Sequence, residues 1–203
     1  MVKKVVISTF YQGPAVKRAI TKLSPDKIIL LIDDSLKGTG TEKMKKALSE
    51  LKKFYSEILE IKIEKVNAYD LPQIIERASK LIKEEAELDN EIVVHITEGR
   101  KITSLGLLFA AYLNKSKVSS ACYITEEENK LISLPLLNFH IGGSKKEILK
   151  EVDKGNGVTK RIQDKLKIKQ SAVYQHLQEL RHEGYLENDK ELKLSELGRV
   201  VIL

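Results

Sequence analysis

The feature that most constrains this chain is a repeated alternation of short apolar runs with longer amphipathic segments. Residues 4–9, 27–32, 60–66 and 92–96 each read as a strand, and the second of them is apolar at almost every position, as strands covered on both faces are. Between them lie segments with helical spacing. Gly13 and Pro14 open a helix over 15–23. A Gly-containing loop at 37–41 precedes a helix over 42–58 with Met44, Leu48, Leu51 and Tyr55 on one face. A third helix, 71–87, turns Ile74, Ile75, Ala78, Leu81 and Ile82 inward. After a fourth strand and helix come two strand-like runs, 119–125 and 130–137, joined by the acidic turn Glu126-Glu127-Glu128-Asn129. This alternation predicts an α/β fold with a Rossmann-like, mostly parallel sheet. Ligands of such sheets bind at the carboxyl ends of the strands, where the strand order reverses.

That rule directs attention to two turns. One contains Ser8, Thr9, Phe10, Tyr11, Gln12 and Gly13 after the first strand. The other contains Thr97, Glu98, Gly99, Arg100 and Lys101 after the fourth, within EIVVHITEGRKITSLGLLFAAYLN. A strand-to-helix turn aims free backbone N–H groups and the positive end of the helix dipole above the sheet edge. With two cations and a hydroxyl in the same turn, phosphate is the ligand that uses every group. Taken alone, the turn reads equally well as an ordinary turn with solvated charges.

Several function classes drop out. Neither turn holds G-x-G-x-x-G or a P-loop, so a nicotinamide enzyme or P-loop nucleotidase lacks its required part. Asp33-Asp34 reads as a solvated strand terminus. His95, His140, His176 and His182 have no metal spacing between them, and the single cysteine, Cys122, excludes an internal disulfide and reads as a core residue. No metal or cofactor is expected, and no catalytic triad can be argued from residue order. No apolar run reaches the eighteen residues of a membrane span, and MVKKVVIST enters a strand with no signal-peptide layout; a cytoplasmic protein with no membrane partner is expected. The net charge of +6 on 203 residues suits nucleic acid, but 32% charged residues of both signs also describe an ordinary highly charged or thermophile-like surface.

After Pro135 the character changes. The expected organisation is a Rossmann-like α/β domain over 1–138, a linker over 139–143 with Gly142-Gly143 as hinge, and a small domain over 144–203. Ser144-Lys145-Lys146-Glu147 reads as a capping box opening a helix to about Val152. A second helix spans 159–166 and a third 170–183, with Val173, Leu177 and Leu180 inward and Gly184 as its αL cap. Residues 185–187 and 191–194 can pair around Asn188-Asp189-Lys190, and 195–202 forms a last helix. This is the layout of a winged helix-turn-helix, with Gln170, Ser171, Tyr174 and Gln175 facing base edges and Lys160, Arg161, Lys169 and Lys190 among the flanking cations that meet phosphate. A small helical bundle for protein contacts is the alternative reading.

Together these motifs resemble the CARF domains, the CRISPR-associated Rossmann folds. HITEGRKITSLGLLFAAYLN is similar to their second motif, T-G-G-x-K followed by a small-residue helix; VVISTFYQGPAVKRAI is similar to their first. LISLPLL and the downstream run VTKRIQDKLKIKQSAVYQHLQELRHEGYLE resemble the junction and winged helix of archaeal CARF transcription regulators of CRISPR loci. The resemblance implies a homodimer that binds a cyclic oligoadenylate, most often the tetra-adenylate, at its two-fold axis, and operator DNA through the winged domain. It would place Thr97, Gly99, Arg100 and Lys101 on phosphate and ribose, and Ser8, Thr9, Phe10, Tyr11 and Gln12 along the adenine or ribose side. Glu98 stands where the family has a second glycine, and is expected to turn toward Arg100 or to bond a sugar hydroxyl or adenine amine. A ring nuclease, or a DNA-binding dimer without ligand, are the competing readings.

Overall fold

The computed structural model describes residues 2–34, 38–136, 141–156, 158–189 and 191–202. The chain divides into two compact units, Met1–Asn138 and Phe139–Leu203.

The first unit alternates as the pattern requires: β1 (Lys4–Phe10), α1 (Pro14–Leu23), β2 (Lys27–Asp33), α2 (Thr39–Tyr55), β3 (Glu60–Val66), α3 (Leu71–Glu87), β4 (Glu91–His95), α4 (Lys101–Leu113), β5 (Ser120–Ile124) and β6 (Leu131–Leu134). The six strands form one sheet in the order β3-β2-β1-β4-β5-β6, parallel except for β6. Burial on both faces explains the continuous apolar runs of β1, β2 and β4. Val6, Phe10, Ile28, Leu30, Ile32 and Val93 point to one face, where α1 and α2 contribute Val16, Ile20, Met44 and Leu51. The alternate residues, among them Ile7, Ile29, Leu31, Ile92 and Val94, point to the other, against which α3 and α4 lie.

Boundaries moved where local bonds decided them. β1 runs on to Phe10, so Ser8 and Thr9 are strand residues, not turn residues. Helix α2 starts at Thr39 because Gly38 O already accepts from Thr41 N–H and Glu42 N–H, and it ends at Tyr55. The expected end of the last strand at Leu137 lies outside the described residues, as do Lys37 of the preceding loop and His140 of the linker.

The second unit packs α5 (Gly143–Asp153), α6 (Thr159–Leu166), α7 (Gln170–His182) and α8 (Glu196–Ile202) around Ile148, Leu149, Val152, Ile162, Val173, Leu177, Leu180, Leu186 and Leu194. Gly184, at φ +80°, ends α7 with Tyr185 N–H returning to Leu180 O at 2.8 Å. The capping box does not form: α5 begins at Gly143 after Gly142, with no side-chain cap. The expected hairpin reduces to a single antiparallel bridge, Leu186 with Leu194. Glu151 fastens α5 to α6, bonding Lys165 at 2.7 Å, Lys154 at 2.9 Å and Asn156 at 2.6 Å; these donors, Lys165 foremost, hold its carboxyl down at about 2.

α3 and α4 approach closely because α4 carries Gly106. A Cβ there would stand 2.5 Å from Ile74 Cγ2 and 3.3 Å from Leu71 Cδ1. Gly106→Ala therefore lowers stability by about 1–3 kcal/mol through overpacking, even though alanine favours the helix. Urea denaturation reads this as a lower midpoint at unchanged slope; a variant as stable as the parent would contradict the packing.

Candidate functional site

Reading outward from β1, the strand order reverses between β1 and β4, which are neighbours although 81 residues separate Phe10 from Glu91. The turns that leave their carboxyl ends face each other there. They are joined by Glu98. Its Oε2 accepts from Gly13 N–H at 2.8 Å, Gln12 N–H at 3.1 Å and Tyr11 N–H at 3.2 Å, and its Oε1 accepts from Ala15 N–H at 2.6 Å. α1 has no side-chain cap of its own after Gly13, so a carboxylate from the turn after β4 fills the positive end of that helix. The Glu98 carbonyl is held in turn by Thr9 Oγ1 and, at 3.0 Å, by Ser104 Oγ. Gly99 follows at φ +86°, where a Cβ would stand 3.2 Å from Thr9 Cβ; glycine fits both demands.

Arg100 turns the other way. Its Nε donates to Asp33 Oδ2 at 2.6 Å, and its guanidinium lies 5.2 Å from the centre of the Tyr69 ring. The bond to Asp33 raises its pKa above the ordinary arginine value. Asp33 is only 6% exposed, so at the strand terminus read as solvated a buried carboxylate pairs with the exposed Arg100. The expectation that Glu98 would turn toward Arg100 is thereby replaced: Arg100 takes Asp33, and Glu98 takes the backbone of the β1–α1 turn.

Between these groups lies a cavity of about 220 Å³ lined by Phe10, Tyr11, Leu31, Asp33, Gly99, Arg100 and Thr103. It sits at the N-terminus of α4, which has no side-chain cap after Arg100. Thr103 is 2% exposed and its hydroxyl has no partner among the described residues. A buried hydroxyl left unbonded costs about 1–3 kcal/mol, which a ligand acceptor at this helix end would remove. Lys101 is exposed at the first position of α4, with no ion pair among the described residues.

The other site residues expected from sequence fall in different places. Thr97 accepts from Ile124 N–H at 2.7 Å and so anchors the turn to β5. Gln12 lies in a separate cleft with Pro14, Ala15, Arg18, Glu98 and Glu126. Ser8 and Thr9 are fully buried and do not line the cavity; Thr9 bonds the Glu98 carbonyl and Ser8 Oγ lies 2.8 Å from His95 Nδ1. Asp33, Tyr69 and Thr103 were missed. Asp33 and Tyr69 come from the ends of β2 and β3, and only the strand order places them beside the fourth-strand turn. In the second unit Lys160, Arg161, Lys169, Gln170, Ser171, Tyr174 and Gln175 are all exposed, and Gln175 Nε2 donates to Glu179 at 2.9 Å. Lys190 lies outside the described residues.

The family described as HFX_2341_N:-like, N-terminal matches residues 6–130. The chain belongs to that family. No curated protein matches the sequence. Among solved structures, the chain is similar to Enterococcus italicus Csm6 bound to cyclic hexa-2'-fluoro-hexa-dAMP, at a TM-score of 0.56 and 12% identity, over 92% of this chain and 57% of that one. It is similar to protein VC1899 from Vibrio cholerae at 0.51 and 12%, over 97% and 63%. A type III CRISPR defence DNA nuclease activated by cyclic oligoadenylate matches at 0.50 and 11%, over 90% of this chain and 30% of the nuclease. What the chain shares with these structures is the fold, an α/β arrangement around a mostly parallel six-stranded sheet. The chain spans less than two thirds of the length of each of these proteins.

The buried histidine gives the site a pH dependence. Ser8 O–H donates to Thr9 O at 3.0 Å, Ser8 Oγ lies 2.8 Å from His95 Nδ1, and His95 Nε2 has no partner among the described residues. Burial pushes the imidazole down to about 4. Between pH 6.5 and 4 the unfolded chain binds the proton and the folded chain does not, so stability falls with pH across that window, by at most about 3 kcal/mol. Urea melts from pH 7 to 4 should show this slope, and His95→Gln should flatten it. An unchanged slope in the variant would assign the acid sensitivity elsewhere.

Proposed function

We propose that the chain is a ligand-responsive transcription regulator of CRISPR-Cas genes, a homodimer that binds a cyclic oligoadenylate, cyclic tetra-adenylate above all, and operator DNA. The observation that carries the reading is the cavity at the strand-order reversal, lined by Arg100 and by Thr103, whose buried hydroxyl has no partner among the described residues, at the uncapped N-terminus of α4, where exposed Lys101 is the first residue. A phosphodiester supplies the acceptor that this helix end and Thr103 lack. Tyr11 lines the cavity, and Tyr69, 74% exposed beside Arg100, offers a face for adenine. The solved CARF relatives, bound to or activated by cyclic oligoadenylates, support the ligand class.

A second copy fits the exposed side of α4. Ile102, Leu105, Phe109 and Leu113 fall at helical spacing on it and are half-buried or exposed, an apolar stripe next to the phosphate-seeking end. An isologous dimer through this stripe brings two equivalent turns to a symmetric ring. The helices of the 144–203 unit, with Gln170, Ser171, Tyr174 and Gln175 exposed on α7, serve as a winged helix-turn-helix, and Lys160, Arg161 and Lys169 meet phosphate. Ring cleavage draws less support, because the carboxylate of the turn already accepts four backbone N–H bonds.

Calorimetric titration with cyclic tri-, tetra- and hexa-adenylate tests the sensor. One ring per two chains is expected, with affinity at least tenfold weaker in Lys101→Ala. No heat with any ring would overturn it. Selection of bound duplexes from a random pool, followed by a salt series, tests the DNA role: phosphate contacts give a steep linear fall of log affinity with log salt. Absence of any enriched duplex would leave the second unit as a protein-contact bundle.

A further inference from the structure

The β1–α1 turn is built to hold an anion, and the chain supplies that anion itself. Four consecutive-turn N–H groups, of Tyr11, Gln12, Gly13 and Ala15, converge within 2.6–3.2 Å of one carboxylate at the positive end of the ten-residue α1. Gly13, at φ +92°, gives the turn the curvature that points these groups inward. We propose that Glu98 is the specificity-determining residue of the site, an internal anion that closes the β1–α1 turn to ligand phosphate and leaves the N-terminus of α4 as the one phosphate position of each protomer.

Three observations converge on this. The Glu98 main chain is fixed independently of its carboxylate, by Thr9 Oγ1 and Ser104 Oγ on its carbonyl and by the tight approach of Gly99 to Thr9. The side chain is therefore held in place and cannot swing aside without giving up four charge-assisted bonds. Arg100, the nearest alternative partner in the turn, is committed to Asp33. The carboxylate also lines a cleft of about 270 Å³ with Gln12, Pro14, Ala15, Arg18 and Glu126. A phosphate approaching the β1–α1 turn from that side meets two carboxylates against a single arginine, whereas on the α4 side the one lining carboxylate, Asp33, is paired with Arg100 and exposed Lys101 stands at the start of the helix. The two turns look equivalent in topology, and Glu98 puts the negative charge on the β1–α1 turn.

The consequence rests on the proposed ligand class, but the closing of the turn can be tested without it, using inorganic phosphate. Glu98→Ala should melt about 5–10 °C lower than the parent. It should then recover about 3–5 °C in phosphate at ten times its dissociation constant, relative to chloride at equal ionic strength. The parent, open to phosphate only at the N-terminus of α4, should rise by less than the variant. Independently of any variant, amide resonances of Tyr11, Gln12, Gly13 and Ala15 in the full parent chain should stay fixed as phosphate is added. Movement of those amides in the parent would show that phosphate displaces Glu98 and would overturn the proposal. So would a folded Glu98→Ala chain that phosphate does not stabilise. Should the variant not fold, the parent amides alone decide. Failure of the cyclic oligoadenylate reading would leave all of these results in place.

Discussion

Everything at this site depends on the parallel pairing of β1 with β4. Ser8 opposite His95, in register through five residue pairs, brings together two strand ends that the sequence separates by more than eighty residues. The reversal of strand order at that pair opens the sheet edge, and both faces are covered by helices that start there. Two helix N-termini thus point at one small region, and two concentrated positive ends must each find a negative partner. At α1 the partner is Glu98. At α4 no side chain among the described residues takes the role.

That asymmetry organises the charges around it. With Glu98 committed to the β1–α1 backbone, Arg100 is free to reach across to Asp33 on β2, and the buried carboxylate fixes the guanidinium over the mouth of the cavity. A paired Arg100 is a positioned donor rather than a loose charge, because its remaining N–H groups keep the direction that Asp33 sets. The Thr103 hydroxyl and the first N–H groups of α4 complete one side of a pocket whose other side is aromatic. Pre-organised donors of this kind favour ligands that arrive with fixed acceptors, as a rigid ring of phosphodiesters does.

Much of this was legible in the sequence, and the reasons for the rest are physical. Helix α3 and strand β3 fall on the residues that their periodicity marks, because an amphipathic helix and a half-buried strand each have one stable phase. The carboxyl-end rule singled out both turns, and the pairing of β1 with β4 sets them side by side. What pattern reading could not supply was pairing: Asp33 looked solvated because nothing local contradicts that reading, and only the β2-β1-β4 order shows that Arg100 reaches it. Glu98 was recognised as the departure from the family's motif, with Arg100 or a ligand group as its expected partner; the backbone amides that it takes instead carry no sequence signal. The Ser144 capping box failed for a related reason: glycines before it let the helix begin a residue early.

The central claim is that phosphate of a cyclic oligoadenylate is held at the start of α4 and nowhere on the β1–α1 turn. An amide-resolved titration of the full chain with cyclic tetra-adenylate tests it most directly. The account predicts that the largest shifts fall on Lys101, Ile102 and Thr103, with the amides of Gly13 and Ala15 held by Glu98 and nearly unmoved. Largest shifts at Gly13 and Ala15, or a spectrum that the ring leaves unchanged, would contradict it.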